Sequence, residues 1–137
     1  MTVPGLRNYV FDLIADDTEM ISLGYTRDGT FTSNDEDTPQ IRPLTIIQWG
    51  ITNQGMDTER LRSLQVWLHD IPHDYTRVDA GLERVRTLLT NQIGVNAGAS
   101  DRWLSQVIWE SDSEDLIDDV QNTITRYSIY TLLGSAV

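Results

Sequence analysis

The chain has no cysteine and no lysine among its 137 residues. The first absence excludes disulfides, thiolate chemistry and cysteine-based zinc sites. The second makes all ten basic residues arginine, planar forks that match carboxylates and serve well at subunit contacts. No apolar run approaches the roughly 18–20 residues that span a membrane. The opening "MTVPGLRNYVFDLIADD" lacks a basic start and acquires acids early, unlike a signal peptide. A soluble protein of a cytoplasm-like compartment is expected. Net positive charge is also missing. At −11 the chain has no overall pull toward phosphates, so specific nucleic-acid binding is not expected and the charge reads as solubility.

The length suits one domain, 1–137, and no repeat or linker divides it. Residues 4–19 predict a helix, with Pro4 in its first turn, Leu6, Val10, Leu13 and Ile14 at helical spacing, and fraying at Asp16 and Asp17. Residues 22–43 are irregular, punctuated by Gly24, Gly29, Pro39 and Pro43. They predict a long loop or a small hairpin turning at "DG". "LTIIQWGIT" (44–52) and "RLRSLQVWLHD" (60–70) are strands joined by an "NQG" turn, the simplest pairing being antiparallel. In the second, Leu64, Val66 and Leu68 share one face, and Leu61, Gln65, Trp67 and His69 the other. Val78, Leu82, Val85 and Leu89 mark a second helix. "VNAGAS" is a loop, "DRWLSQVIWE" (101–110) a third strand, and "NTITRYSIYTLL" (122–133) the last. The expected fold is α+β: a mostly antiparallel sheet of four or more strands with two helices on one face.

"HDIPHD" invites a metal reading through His69, Asp70 and His73. The bland reading is that Pro72 ends a strand and Asp74 caps the helix that follows. His69 and His73 straddle a proline corner rather than lying a turn apart on a helix, which makes them exposed loop histidines. No metal, cofactor or catalytic residue is expected. The acids from Glu110 to Asp119 lack the spacing and glycine of a calcium loop and read as a solvated turn.

Helices on one face should leave polar residues on the other, yet several strands are apolar on both. Long strands with covered ends would explain that. So would a neighbouring subunit, with Trp49, Trp67, Trp103, Trp109, Tyr127, Arg60 and Arg62 as candidate interface residues.

From about residue 5 to 133 the succession of elements resembles the tail terminator (tail completion) proteins of long-tailed bacteriophages. The resemblance is carried by "LRNYVFDLIADD", "DTPQIRPLTIIQWG", "LQVWLHDIPHDYTRVDAGLERVRTLL" and "SEDLIDDVQNTITRYSIYTLL". Gly50 inside the first strand and residues 94–101 depart from the pattern. The resemblance implies an α+β subunit of a six-membered ring in the virion, assembled in the host cytoplasm. Such a ring caps the tail tube, joins it to the head, and contacts the tube protein and a head-completion or connector protein. DNA passes through without specific binding, and no membrane is involved. The acids Asp35, Glu36, Asp37, Asp112, Glu114, Asp115, Asp118 and Asp119 then become candidates for the channel wall. Two alternatives stand beside this: another ring of the head–tail junction, such as a stopper, and a small acidic metal-dependent enzyme.

Overall fold

A computed structural model describes residues 6–32, 43–54, 59–72, 74–96, 103–119 and 122–135. The chain runs α1 (Leu6–Ala15), α2 (Thr18–Leu23), a 3-10 turn (Arg27–Gly29), β1 (Thr30–Phe31), β2 (Leu44–Gln54), β3 (Glu59–Asp70) and α3 (Thr76–Thr90). It continues through β4 (Val95–Asn96), β5 (Trp103–Asp112), β6 (Leu116–Asp118) and β7 (Thr123–Ser135). The strands form one sheet in the order β1-β2-β3-β7-β5-β4, with β6 pairing β7. Every pairing is antiparallel except the short parallel contact of β1 with β2. This is the expected α+β class.

The period of two in β3 divides the sheet. Leu64, Val66 and Leu68 are fully buried on the near face. There they meet Ile47 of β2, Tyr130 and Leu132 of β7, and Leu104 and Val107 of β5. The helices close this layer with Val10 and Ile14 of α1, Met20 of α2, and Val78, Leu82, Val85 and Leu89 of α3. The spacing of the α3 residues is the amphipathic stripe visible in the sequence. Gly81 permits its close approach. A Cβ there would lie 2.5 Å from Leu68 Cδ1 and 3.0 Å from Tyr25 Cε2, both on side chains enclosed by the core.

Several expectations change. The first helix is two helices, because Asp17 ends no helix but starts one. Its carboxylate accepts from the Met20 N–H at 3.0 Å, an N-cap. Gly24, with φ of 105°, stops α2 in the left-handed conformation that glycine adopts without penalty. Of the long loop or small hairpin expected over 22–43, the described part up to residue 32 forms no hairpin. "DG" lies in the 3-10 turn, and β1 joins β2 in parallel; residues 33–42 lie outside the described part, as does the turn after Gln54. Strand β6 and the short β4 fall where loops were expected. Gly50 sits at a β2 bulge between Trp49 and Thr52, where a Cβ would come within 3.1 Å of Ser63 Cβ. Asp74 acts one residue ahead of the helix boundary: the Thr76 N–H donates to its Oδ1 at 2.9 Å.

Asp17 also ties α2 to α3. Arg84 grips it with two parallel hydrogen bonds, Nε to Oδ2 at 3.0 Å and Nη2 to Oδ1 at 2.8 Å. The Asp17 side chain is only 8% exposed. The Arg84 hydrogen bonds, more than the opposing effect of burial, hold its carboxyl below the usual carboxylate range. A depressed folded value contributes stability above the unfolded pKa and loses it as pH falls through the folded one.

Two outcomes follow. Gly81→Ala should lower stability despite a helix-propensity gain of about 1 kcal/mol, because overpacking costs about 1–3 kcal/mol; urea titration measures the net loss. Asp17→Asn should cost about 2–3 kcal/mol at neutral pH, through the lost charge-assisted bonds to Arg84, and the loss should shrink as pH falls below the usual carboxylate range toward the depressed folded value, where the wild-type carboxylate itself takes up a proton.

Candidate subunit interface

All three helices pack on the near face, so the far face of the sheet is where the strands present apolar groups without a helix. The register builds it row by row. Ile46, Trp67 and Tyr127 lie abreast across β2, β3 and β7, with Gln48, Gln65 and Ile129 in the next row. The Trp67 and Tyr127 rings meet at 4.2 Å between centroids, tilted by 32°, and Trp67 Nε1 donates to Gln65 Oε1 at 3.1 Å. Leu44, Ile46 and His69 are buried, Trp67, Tyr127 and Ile129 half-buried, and Ile108 is 41% exposed. The result is an apolar ridge with partial access to solvent.

The structure therefore brings together only two of the expected interface residues, Trp67 and Tyr127. Trp49 and Trp109 belong to the near face, at opposite edges of the sheet. Each lies under an arginine: Arg7 is 5.4 Å from the Trp49 ring and Arg86 is 4.7 Å from that of Trp109. The simple alternation expected for 101–110 fails because of a bulge between Leu104 and Gln106. It places Leu104, Val107 and Trp109 on one side, whereas strict alternation would set Leu104 opposite Trp109. Arg62 is half-buried on the near side, next to Leu132 in the register. The side chains of Trp103 and Arg60 lie outside the described residues.

The acidic segment is less solvated than a plain turn. Asp112 accepts from Trp109 Nε1 at 2.9 Å and from the Ser128 hydroxyl. Asp115 stands 3.7 Å from Arg126 Nε. Arg126 also donates to Asp79 on α3 at 2.7 Å and to the Ser113 carbonyl at 3.0 Å. The Tyr75 hydroxyl donates to the Leu116 carbonyl at 2.8 Å. Residues 113–116 are thus pinned against the start of α3. Glu114 and Asp119 are exposed, and Asp118 pairs through β6 with Thr123. Asp35, Glu36 and Asp37 lie outside the described residues. Arg126 is the residue that sequence reasoning missed. Nothing in "NTITRYSIY" separates it from any other strand arginine.

His69 corrects another expectation. It is no exposed loop histidine but a fully buried strand residue. Its Nδ1 lies 2.7 Å from Thr123 Oγ1 and 3.9 Å from Asp118. Asp70 is 3% exposed, accepts from the Ile71 N–H at 2.8 Å and lies 3.5 Å from Arg77. His73 lies outside the described residues. Among the described residues, no three His, Asp or Glu side chains gather as metal ligands, and no helix is long and apolar enough to cross a membrane.

No protein-family model matches the chain, and neither does any curated protein sequence. Solved structures do match. One is a chain of the structure titled "Virion of native gene transfer agent (GTA) particle", with a TM-score of 0.69 over 96% of this chain and 95% of that one, at 9% identity. At that identity the match establishes a shared fold, and it does so along nearly the whole length.

The far-face ridge has a direct check. In a double-mutant cycle of Trp67→Ala and Tyr127→Ala, measured by urea unfolding at low protein concentration, the pair should couple by about 0.5–1.5 kcal/mol.

Proposed function

We propose that this chain is a structural virion protein that forms a ring at the head–tail junction, capping the tail tube and joining it to the head. The whole-length likeness to a chain of a gene transfer agent virion carries this reading. The order of elements, which resembles the tail terminators, narrows it to the cap. The chain acts by geometry: the chemistry of an enzyme needs a nucleophile with its base, or a ligand set, and His69 and Asp70 are instead built into the sheet and its first turn. Subunits meet through apolar and aromatic surface, tube and connector proteins bind the two ends, and DNA passes without being held.

In this reading Glu114 and Asp119, the exposed acids of the 112–119 segment, and the acids of "NDED" face the channel. A carboxylate wall repels phosphate at short range and is screened beyond about 10 Å at 0.1 M salt. Basic walls would release counterions and retain the duplex.

Mass photometry of the purified chain should find a species near six times 15.6 kDa. Particles lacking the protein should accumulate unjoined heads and tails of uneven length. A strict monomer, both at high concentration and on mature tails, excludes the ring. Glu114→Arg with Asp119→Arg should slow DNA delivery from assembled particles, and unchanged delivery removes the channel assignment while leaving the ring intact.

A further inference from the structure

Among the described residues, the two outer edges of the sheet are largely uncovered by strands. β1 pairs only with Thr45 and Ile46 of β2, and β4 only with Trp103 and Leu104 of β5. Beyond them, no strand among the described residues pairs outward with 47–54 on one side or with 106–112 on the other. Such edges present rows of backbone donors and acceptors that invite another strand.

The edges share one feature and differ in another. Each carries an indole beneath an arginine, Trp49 under Arg7 and Trp109 under Arg86. Other arginines are engaged by carboxylates: Arg27 by Asp12 and Asp16, Arg84 by Asp17, Arg126 by Asp79. Arg7, exposed at the β2 edge, has no carboxylate partner among the described residues, and Glu110, exposed at the β5 edge, has no cation. Arg7 on one edge and Glu110 on the other, the latter next to the Trp109 that Arg86 covers, can thus pair across a seam.

Direction also fits. β2, β3, β7 and β5 are successively antiparallel, so β2 and β5 run in opposite senses. A second copy, rotated about an axis along the strands, sets its β5 antiparallel to the first copy's β2 with all helices on one side. That contact joins two different patches, the kind that closes into a ring. Both edges carry a bulge, between Trp49 and Thr52 and between Trp109 and Ser111, which limits the registers in which they mate.

We propose that copies of this chain join head to tail by pairing the 106–112 edge of one with the 47–54 edge of the next, with Glu110 facing Arg7 across the seam. The proposal rests on the ring reading above and specifies its seam.

The natural absence of cysteine makes the test clean. Gln48→Cys with Ser111→Cys places one thiol on each edge. Within one chain they are three strand spacings apart, about 14 Å at about 4.8 Å per strand, beyond the roughly 7 Å that a disulfide spans. Oxidation of the double variant should give a ladder of covalent oligomers ending at six, and neither single variant should. Separately, Arg7→Glu and Glu110→Arg should each raise the concentration of half-assembly about tenfold, the effect of about 1.4 kcal/mol, without lowering Tm, and the two together should restore it. Normal rings from both reversals with no ladder overturn the seam and leave the ring standing. A wild-type chain that is monomeric in solution and on particles overturns both.

Discussion

The pairing of β3 with β7 is the constraint on which the rest depends. It runs unbroken from Glu59 opposite Ser135 to Asp70 opposite Ile124. Because side chains alternate along both strands, this single register decides which residues face the helices and which face away. It sets Leu64 beside Tyr130 under α3 and Trp67 beside Tyr127 on the other side. A slip of one residue along β3 would exchange these sets, burying Gln65 against Val85 and exposing Leu64, Val66 and Leu68. The flanking strands tolerate bulges; the central ladder has none.

Much of this was legible because it is written in short periods. The alternation over 60–70 and the helical stripe from Val78 to Leu89 each state a face and an element without reference to anything distant. The α+β class followed from their order. What was illegible depends on partners far along the chain. Asp17 looks like a misplaced acid at a helix end until Arg84, sixty-seven residues away, is seen to hold it. His69 reads as a loop residue until Thr123 and β6 are brought beside it. The tryptophans read as one group because they are alike in type, while bulges and strand order distribute them over two faces and two edges. Of the candidate interface, only the Trp67–Tyr127 contact was within reach of pattern reasoning, and its closeness still required the register.

The arginines show how an acidic chain is held together. Engaged cations sit between elements: Arg84 links α3 to the cap of α2, Arg126 links β7 to α3 and to the 113–115 turn, and Arg77 at the start of α3 stands beside the buried carboxylate of Asp70 at the end of β3. With the acids in excess, positive charge is the scarcer resource, and it is concentrated at junctions between elements. The guanidinium geometry makes this efficient, since one side chain can accept two partners in fixed directions. Exposed acids such as Glu114 and Asp119 shape the surface field.

The place of β7 in the sheet bears on how the chain is made. It lies between β3 and β5, yet it is synthesised after both. During vectorial synthesis β3 and β5 emerge without their common neighbour, and the central ladder closes only across separations of more than fifty residues. Non-local pairing of this kind slows folding and leaves strand edges exposed in the interim. The β2–β3 hairpin and α3 are local and can form first, shielding Leu64, Val66 and Leu68 while the chain lengthens. A nascent polypeptide truncated before residue 123 would keep that hairpin but lack its other flank, making the growing chain a natural client for a holding chaperone until β7 arrives.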